Sequence, residues 1–467
     1  MGGFFGAVST SDCVTDIFYG TDYHFHLGTR RGGMAVKGPD GITRSIHSIE
    51  NDYFRSKFEA DLTKFAGRTG IGVISDTDPQ PLVIGSHLGN FALVTVARIN
   101  NMAELERKAF KRRLHFTETA NGKTNPTEMV AMLICAEDSF AAGIRHAQEA
   151  IQGSCSLLLL TDHGVYAARD RLGRTPVVIG HKAGAYAAAS ESCAFPNLGY
   201  DIERFLGPGE TVLLTPEGVA PVNPPGSEMQ ICAFLWVYYG YPASDYEGIN
   251  VEAVRNRCGR ALAQNDSVAI DCVAGIPDSG IGHAIGYANE KKVPYVRPFV
   301  KYTPTWPRSF MPQSQSLRDL VARMKLIPIR RLIEGQRLLF CEDSIVRGTQ
   351  LKGNVQVLFD LGAAEVHMRP ASPTLVFPCD FLNFSTSRST LDLAGRKMIH
   401  ELENGASRHL EDYAAAGSRR NLAMVERIRR KLRLTSLRFQ RLDDLVAAIG
   451  LPKSRLCTHC WDGSSHF

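Results

Sequence analysis

The stretch Leu338-Leu339-Phe340-Cys341-Glu342-Asp343-Ser344-Ile345-Val346-Arg347-Gly348-Thr349 ends an apolar run with two adjacent acids and follows them with a small-residue turn. A helix opening at Thr349 would aim the backbone N–H groups of Ser344 to Thr349 at an anion, because a helix's first amides lack intrahelical acceptors and lie at its positive end. Bare carboxylates repel phosphate, yet Glu342 and Asp343 can accept hydrogen bonds from two vicinal hydroxyls. Acid pair and anion cradle together predict a ribose 5-phosphate ligand. A second turn, Gly275-Ile276-Pro277-Asp278-Ser279-Gly280, follows another apolar run. Its glycines let backbone approach a ligand closely, and the helix after it offers a further anion site. Alone such a turn is common on surfaces. One strand–helix unit ahead of the acidic loop, it reads as a pyrophosphate loop.

Cysteines form a separate signal. Cys457-Thr458-His459-Cys460 is a CxxC pair, with Cys232 and Cys379 far upstream. Spacing alone leaves two readings open, half of a zinc site or unrelated buried thiols. The seven other cysteines read as ordinary buried thiols. His24 and His26 read as alternating on a strand, with no metal role.

These residues need elements to hold them. Up to Ser227 the text suggests strands Phe4 to Ser9, Gly70 to Ser75, Ala92 to Ala97, Ser156 to Leu160 and Gly164 to Ala168, with helices Glu128 to Glu137 and Ser139 to Ile151. That is an α+β domain of stacked layers. Asn223-Pro224-Pro225-Gly226 marks a boundary, giving domains 1–227 and 228–467. Beyond it strands and helices alternate: Ser267 to Ile276, helix Ile281 to Asn289, Arg337 to Cys341, helix Thr349 to Gly362, Glu365 to Ser372. Such alternation implies an α/β domain with a parallel sheet, ligands lying at the carboxyl ends of its strands. Ala394 to Arg433 reads as a helical, highly charged extension whose basic run, within 417–442, is a solvated face.

At these residues the chain resembles the glutamine phosphoribosylpyrophosphate (PRPP) amidotransferase family. The likeness spans nearly the whole chain. It includes Ala167-Ala168-Arg169-Asp170-Arg171-Leu172-Gly173, Ala189-Ser190-Glu191-Ser192-Cys193, Leu206-Gly207-Pro208-Gly209-Glu210, Arg308-Ser309-Phe310, Arg323-Met324-Lys325-Leu326 and Ile449-Gly450-Leu451-Pro452-Lys453. The resemblance implies an N-terminal-nucleophile glutaminase domain of four αββα layers, then a type I phosphoribosyltransferase domain. It implies PRPP bound by Asp278, Ser279, Gly280, Lys325 and the Ser344–Thr349 loop, with Mg²⁺ held through Asp278, Glu342 and Asp343. Lys301 and Arg308 are implied as catalytic clamps beside Glu342 and Asp343. In one branch of the family four thiolates hold a 4Fe–4S cluster, which implies Cys232, Cys379, Cys457 and Cys460 as its ligands here, in preference to zinc.

The glutaminase pattern departs at four functions. The family's nucleophilic cysteine is replaced by Gly2, and its Asn-Gly oxyanion pair by Val96-Ala97. Its carboxylate-binding arginine falls near Ser75, and its amine-binding aspartate near Pro126. Of that set Arg31-Gly32 is retained. The mobile loop is altered too: Lys301-Tyr302-Thr303-Pro304-Thr305-Trp306-Pro307-Arg308 carries two prolines that fix φ. The expected activity is therefore transfer of ammonia, rather than glutamine nitrogen, to PRPP, giving 5-phosphoribosylamine, the first step of purine synthesis. The alternatives are a catalytically silent PRPP- or nucleotide-binding regulator and a glutamine-dependent enzyme with an unrecognised nucleophile. The chain has 467 residues, 22% charged, and a net charge of +5 that decides nothing about partners. It carries no long apolar run and no signal-peptide pattern, so a cytoplasmic protein with no membrane partner is expected. Purine nucleotide effectors and a homo-oligomer, dimer or tetramer, are expected; nucleic acid is not.

Overall fold

A computed structural model of the chain describes residues 2–117, 119–120, 122–264, 266–302, 325–382 and 389–464. The strand Gly2–Ser9 is buried along its whole length and shows how the first part is layered. Successive side chains of a strand point to opposite faces. Phe5 and Ala7 therefore pack with the helix Val14–Asp22, while Phe4 and Val8 face a second sheet. The first sheet has seven antiparallel strands, in the order Asp201–Phe205, Val178–Lys182, Ala185–Ala189, Gly2–Ser9, Thr69–Ser75, Arg31–Gly38, Gly41–Ser48. The second has six, in the order Gly218–Asn223, Thr211–Thr215, Gly164–Ala168, Gly153–Thr161, Gly89–Ile99, Leu82–Ser86. Phe4, Val8, Ile71 and Val73 meet Val94, Leu158, Leu160 and Val212 between them. Helices Pro126–Ile134 and Phe140–Ala150 cover the outer face of the second sheet through Met129, Ile134 and Ile144. The result is the expected αββα stack.

The later sheet is parallel, with strands Cys272–Gly275, Arg337–Glu342, Glu365–Pro370 and Ser436–Leu437 in that order. Parallel strands are apolar on both faces because helices cover both. Helices Val251–Gln264 and Ile281–Lys291 pack on one side with Val273, Leu339 and Cys341. Thr349–Asp360, Ala394–Leu402 and Arg419–Leu432 pack on the other with Ala274, Phe340 and Val366. The two helices on the first side approach closely through glycine. A Cβ on Gly259 would lie 1.9 Å from the His283 carbonyl oxygen, and one on Gly286 2.0 Å from that of Asn256. Gly259→Ala forces backbone apart in the helix that starts from the second loop. Overpacking of this kind costs about 1–3 kcal/mol, so thermal unfolding should fall by roughly 2–10 °C, read by calorimetry against wild type.

Three expectations need correction. The strand anticipated from Ser267 begins only at Cys272, because its neighbour starts at Arg337 and offers no ladder earlier. Asp271 instead caps that neighbour, accepting from Arg337 N at 2.8 Å and from its guanidinium at 2.7 Å. His24 and His26 do not alternate on a strand: His24 follows the helix Val14–Asp22 and His26 sits in the 3₁₀ turn Phe25–Leu27. There His24 Nδ1 bonds the Gly20 carbonyl and His26 pairs with buried Glu191 at 3.0 Å. The charged C-terminal segment is helical, as expected, but not in one continuous helix. It is three helices, Ala394–Leu402, Leu410–Ala414 and Arg419–Leu432, leading into the sheet's fourth strand. Its basic face is laced by ion pairs, Arg429 and Arg430 to Glu426 and Lys431 to Glu401, while Met424, Ile428 and Leu432 turn inward. Among the described residues no helix is long and apolar enough to cross a membrane.

Candidate active site

Both suspected ligand loops leave the carboxyl ends of adjacent parallel strands, and they are tied together. Ile276 N donates to the Cys341 carbonyl at 3.0 Å, and a Cβ on Gly280 would meet that same oxygen at 2.4 Å, so only glycine fits there. Ser279 Oγ donates to Asp343 Oδ2, and Ser344 Oγ donates to Asp343 Oδ1 at 2.6 Å. Gly348, at φ +72°, turns the chain into the helix Thr349–Asp360. Ile345 is buried beneath the turn, whereas Arg347 is exposed. The Val346 carbonyl is held by Ala394 N at 2.7 Å. The loop from Ser344 to Gly348 thus leads directly into a helix start, where amides without intrahelical acceptors can take an anion.

The acid pair does not ionise evenly. Burial, the adjoining Asp343 charge and a hydrogen bond to it push Glu342 well above the usual carboxylate range. Burial also raises Asp343, but bonds from Ser279 and Ser344 and the nearby Arg255 cation pull it back. Both acids thus lie above the usual carboxylate range, Glu342 further than Asp343. Arg255 was not singled out from sequence. It is 3% exposed, and its guanidinium is aimed by the Trp236, Tyr238 and Gly240 carbonyls at 3.1, 3.0 and 2.8 Å. No motif announces it, since only the packing of its helix against the sheet brings it near Asp343.

Lys301 and Lys325 stand on one hairpin, where Lys301 pairs with Leu326 across Phe299–Lys301 and Leu326–Pro328. Lys301 Nζ reaches Asp278 Oδ2 at 2.6 Å, so the hairpin leans over the pyrophosphate loop. Lys325 is half-buried beside it, its carbonyl accepting from Tyr302 N at 3.0 Å. Arg308, the Thr303 to Pro307 stretch, Ser309-Phe310 and Arg323-Met324 lie outside the described residues, as does the side chain of Thr349.

The four cysteines far apart in sequence converge. A short parallel ladder, Ile231↔Leu456 and Cys232↔Cys457, sets one pair side by side. Val376 and Phe377 N both donate to the Cys460 carbonyl at 3.1 Å, drawing Cys379 toward Cys460. All four line one cavity with Phe234, Phe381, Leu382, Trp461 and Arg174. A hydrogen bond from the Cys460 thiol holds Cys379 down at about 6, while that same bond and burial push Cys460 up. Burial also raises Cys232, and Cys457 to about 11. Arg174, stacked 3.4 Å over Phe381, donates to Cys457 Sγ at 3.7 Å. Four convergent thiols in an apolar cavity beside one guanidinium fit an iron–sulfur cluster, whose thiolate charge needs such a partner. Among the described residues no group of His, Cys, Asp and Glu closes around a single metal ion. Of the other seven cysteines, six are buried and Cys135 is half-buried.

A second small cavity gathers Gly2, Ser75, Val96 and Ala97 with Thr77, Thr95 and Leu382. Four of the five positions expected to depart from the glutaminase pattern thus line one cavity. Pro126 is the first residue of its helix, capped by Asn125, and its neighbour Thr127 bonds Thr95 at 2.7 Å.

Known proteins agree with this layout. A model of the glutamine amidotransferase domain matches residues 67–197. The amidophosphoribosyltransferase of Bacillus subtilis is 30% identical over 412 residues, covering 86% of this chain and 85% of that one. The chain belongs to the amidophosphoribosyltransferase family. The family's Archaeoglobus fulgidus member is 31% identical over 353 residues, 74% of this chain and 77% of that protein. The solved glutamine PRPP amidotransferase from B. subtilis, complexed with ADP and GMP, superposes with a TM-score of 0.83 at 27% identity. That match covers 99% of this chain and 96% of the other. The two-part fold of this family member is thus that of its relatives from end to end.

Proposed function

We propose that this chain is an amidophosphoribosyltransferase that uses ammonia: residues 228–467 carry the transfer and residues 1–227 a glutaminase-like domain without glutaminase activity. The observation that carries the transfer reading is the meeting of Ser279, Glu342 and Asp343 where two loops leave adjacent parallel strands. Glu342 and Asp343 would hold the ribose hydroxyls of PRPP, and the Ser344–Thr349 amides its 5-phosphate. Ammonia's lone pair attacks C1 of the ribose. The C1–O bond breaks, its electrons leave with pyrophosphate, and the added nitrogen sheds one proton. Lys301, Lys325 and the loop from Asp278 to Gly280 would take the charge growing on pyrophosphate, while Arg308 is proposed from its motif alone. Mg²⁺ fits an oxygen-rich site of this kind, and it is commonly held by one or two carboxylates plus substrate phosphates rather than a closed protein cage. Asp278, Glu342 and Asp343 would supply those carboxylates and the ion would offset pyrophosphate charge. As the first step of purine synthesis, such an enzyme would be cytoplasmic, homo-oligomeric and answerable to purine nucleotides. Pyrophosphate release from PRPP with ammonia, glutamine or no added nucleophile tests this directly. Release with ammonia alone supports it, and release with none of them points instead to a silent PRPP- or nucleotide-binding regulator.

The cluster reading is supported by the convergence of Cys232, Cys379, Cys457 and Cys460. Bound there, a 4Fe–4S cluster would cross-link the C-terminal segment to the sheet. Anaerobically purified protein should be brown, with roughly four irons and four sulfides per chain, and should bleach in air. Cys460→Ser should lose colour and lower the unfolding temperature together, because metal binding and folding are coupled. Colourless protein with stoichiometric zinc would replace the cluster by zinc on the same thiols.

A further inference from the structure

We infer that Arg174 is a positioning residue for the proposed cluster: its fixed charge balances the Cys457 thiolate and sets how readily the cluster takes up an electron. The inference rests on the iron–sulfur reading and goes beyond its four ligands. Arg174 lies in the αββα part of the chain, between the strands Gly164–Ala168 and Val178–Lys182. The fold lays that connection alongside the cysteine cavity. The Leu172 and Arg174 carbonyls accept from Gln230 N at 2.7 Å and from Cys232 N at 3.1 Å. Cys232 in turn pairs with Cys457 on the short parallel ladder, where Ala233 N donates to the Cys457 carbonyl at 3.2 Å. Arg174 therefore seats Cys232 through its backbone and reaches Cys457 through its side chain, Nη1 donating to Cys457 Sγ at 3.7 Å.

Burial and stacking make this guanidinium a strong charge partner. It is 1% exposed, and its central carbon stands 3.4 Å from the centroid of the Phe381 ring. Its position is thus fixed, and a buried charge is screened far less than a solvated one. Among the described residues that line the cavity, Arg174 is the cation; the rest are the four cysteines and the apolar Phe234, Phe381, Leu382 and Trp461. A guanidinium keeps its proton at any working pH. An added electron makes a thiolate-held cluster more negative, and charge and hydrogen bonds at its sulfurs set the potential. Arg174 therefore favours the reduced form. Phe381, on which it stacks, lies two residues after Cys379, and the Asp380 carbonyl between them accepts from Asn100 Nδ2 at 2.6 Å. The αββα part thus holds the loop of a third ligand as well.

The full-length protein, purified anaerobically, and its Arg174→Met and Arg174→Lys variants test this by direct electrochemistry. The first substitution fills the space with an adaptable apolar chain and removes the charge, and the second keeps the charge without the planar fork. In Arg174→Met the ratio of reduced to oxidised cluster at the wild-type midpoint should fall at least about tenfold, which lowers a one-electron midpoint by about 59 mV. In Arg174→Lys it should fall less than about threefold. A role in packing alone would lower the unfolding temperature of both variants and move the potential of neither. A brown Arg174→Met protein with wild-type iron and sulfide content and an unchanged potential would overturn the inference. If Arg174→Met holds no cluster, Arg174→Lys decides. A brown protein with a midpoint near wild type supports the charge role, and one that is colourless or shifted about tenfold overturns it. Wild type that holds no iron would instead bring down the cluster reading, and this inference with it.

Discussion

Asp343→Asn is expected to lower kcat for pyrophosphate release, at saturating PRPP and ammonia, by at least about tenfold. The carboxylate sits at the junction of both loops: one oxygen accepts from Ser279, in the loop proposed for pyrophosphate, and the other from Ser344, in the loop proposed for the ribose phosphate. An amide in its place keeps the shape but turns one acceptor into a donor, so one of the two serines faces N–H against O–H. It also removes a negative charge that would steady a ribose whose C1 becomes cation-like as pyrophosphate departs. Loss of one charge-assisted contact is worth roughly 1.5–3 kcal/mol, or about ten- to a hundredfold in rate. Ser279→Ala, which removes a bond but no charge, should cost less. Steady-state kinetics that match wild type in a folded Asp343→Asn protein would remove the acid pair from the reaction.

Glutamine is expected to support no turnover above a heat-killed control, measured as glutamate release with and without PRPP. Amide hydrolysis in a domain of this type needs nucleophile, base and oxyanion donors together. On the proposed reading the nucleophile's place is Gly2 and the donor pair's is Val96-Ala97, and both line one small cavity with Ser75. Gly2→Cys should stay inactive as well. Catalytic components act as a unit rather than additively, and a Cβ at Gly2 would lie 2.6 Å from the Ile74 carbonyl oxygen, so the new thiol could enter only by shifting the strand. Glutamate release by the wild type would show that some other nucleophile serves.

The strand, acid pair and turn proposed as the transferase site were readable as elements because the pattern is local. An apolar strand, an acid pair and a small-residue turn into a helix occupy twelve consecutive positions, Leu338 to Thr349, and strand and helix propensity suffice to place them. The αββα and parallel-sheet layers were readable for the same reason, since burial writes its period into each strand. Tertiary structure alone decided the rest. That Ser279 would reach Asp343 across 64 positions follows from which strands pair, and pairing register is a property of the sheet. Arg255 gives no local signal because its role comes from three carbonyls on another segment. His24 and His26 misled for a related reason: two-residue spacing suits a strand, but packing against buried Glu191 turned that stretch into helix and 3₁₀ turn.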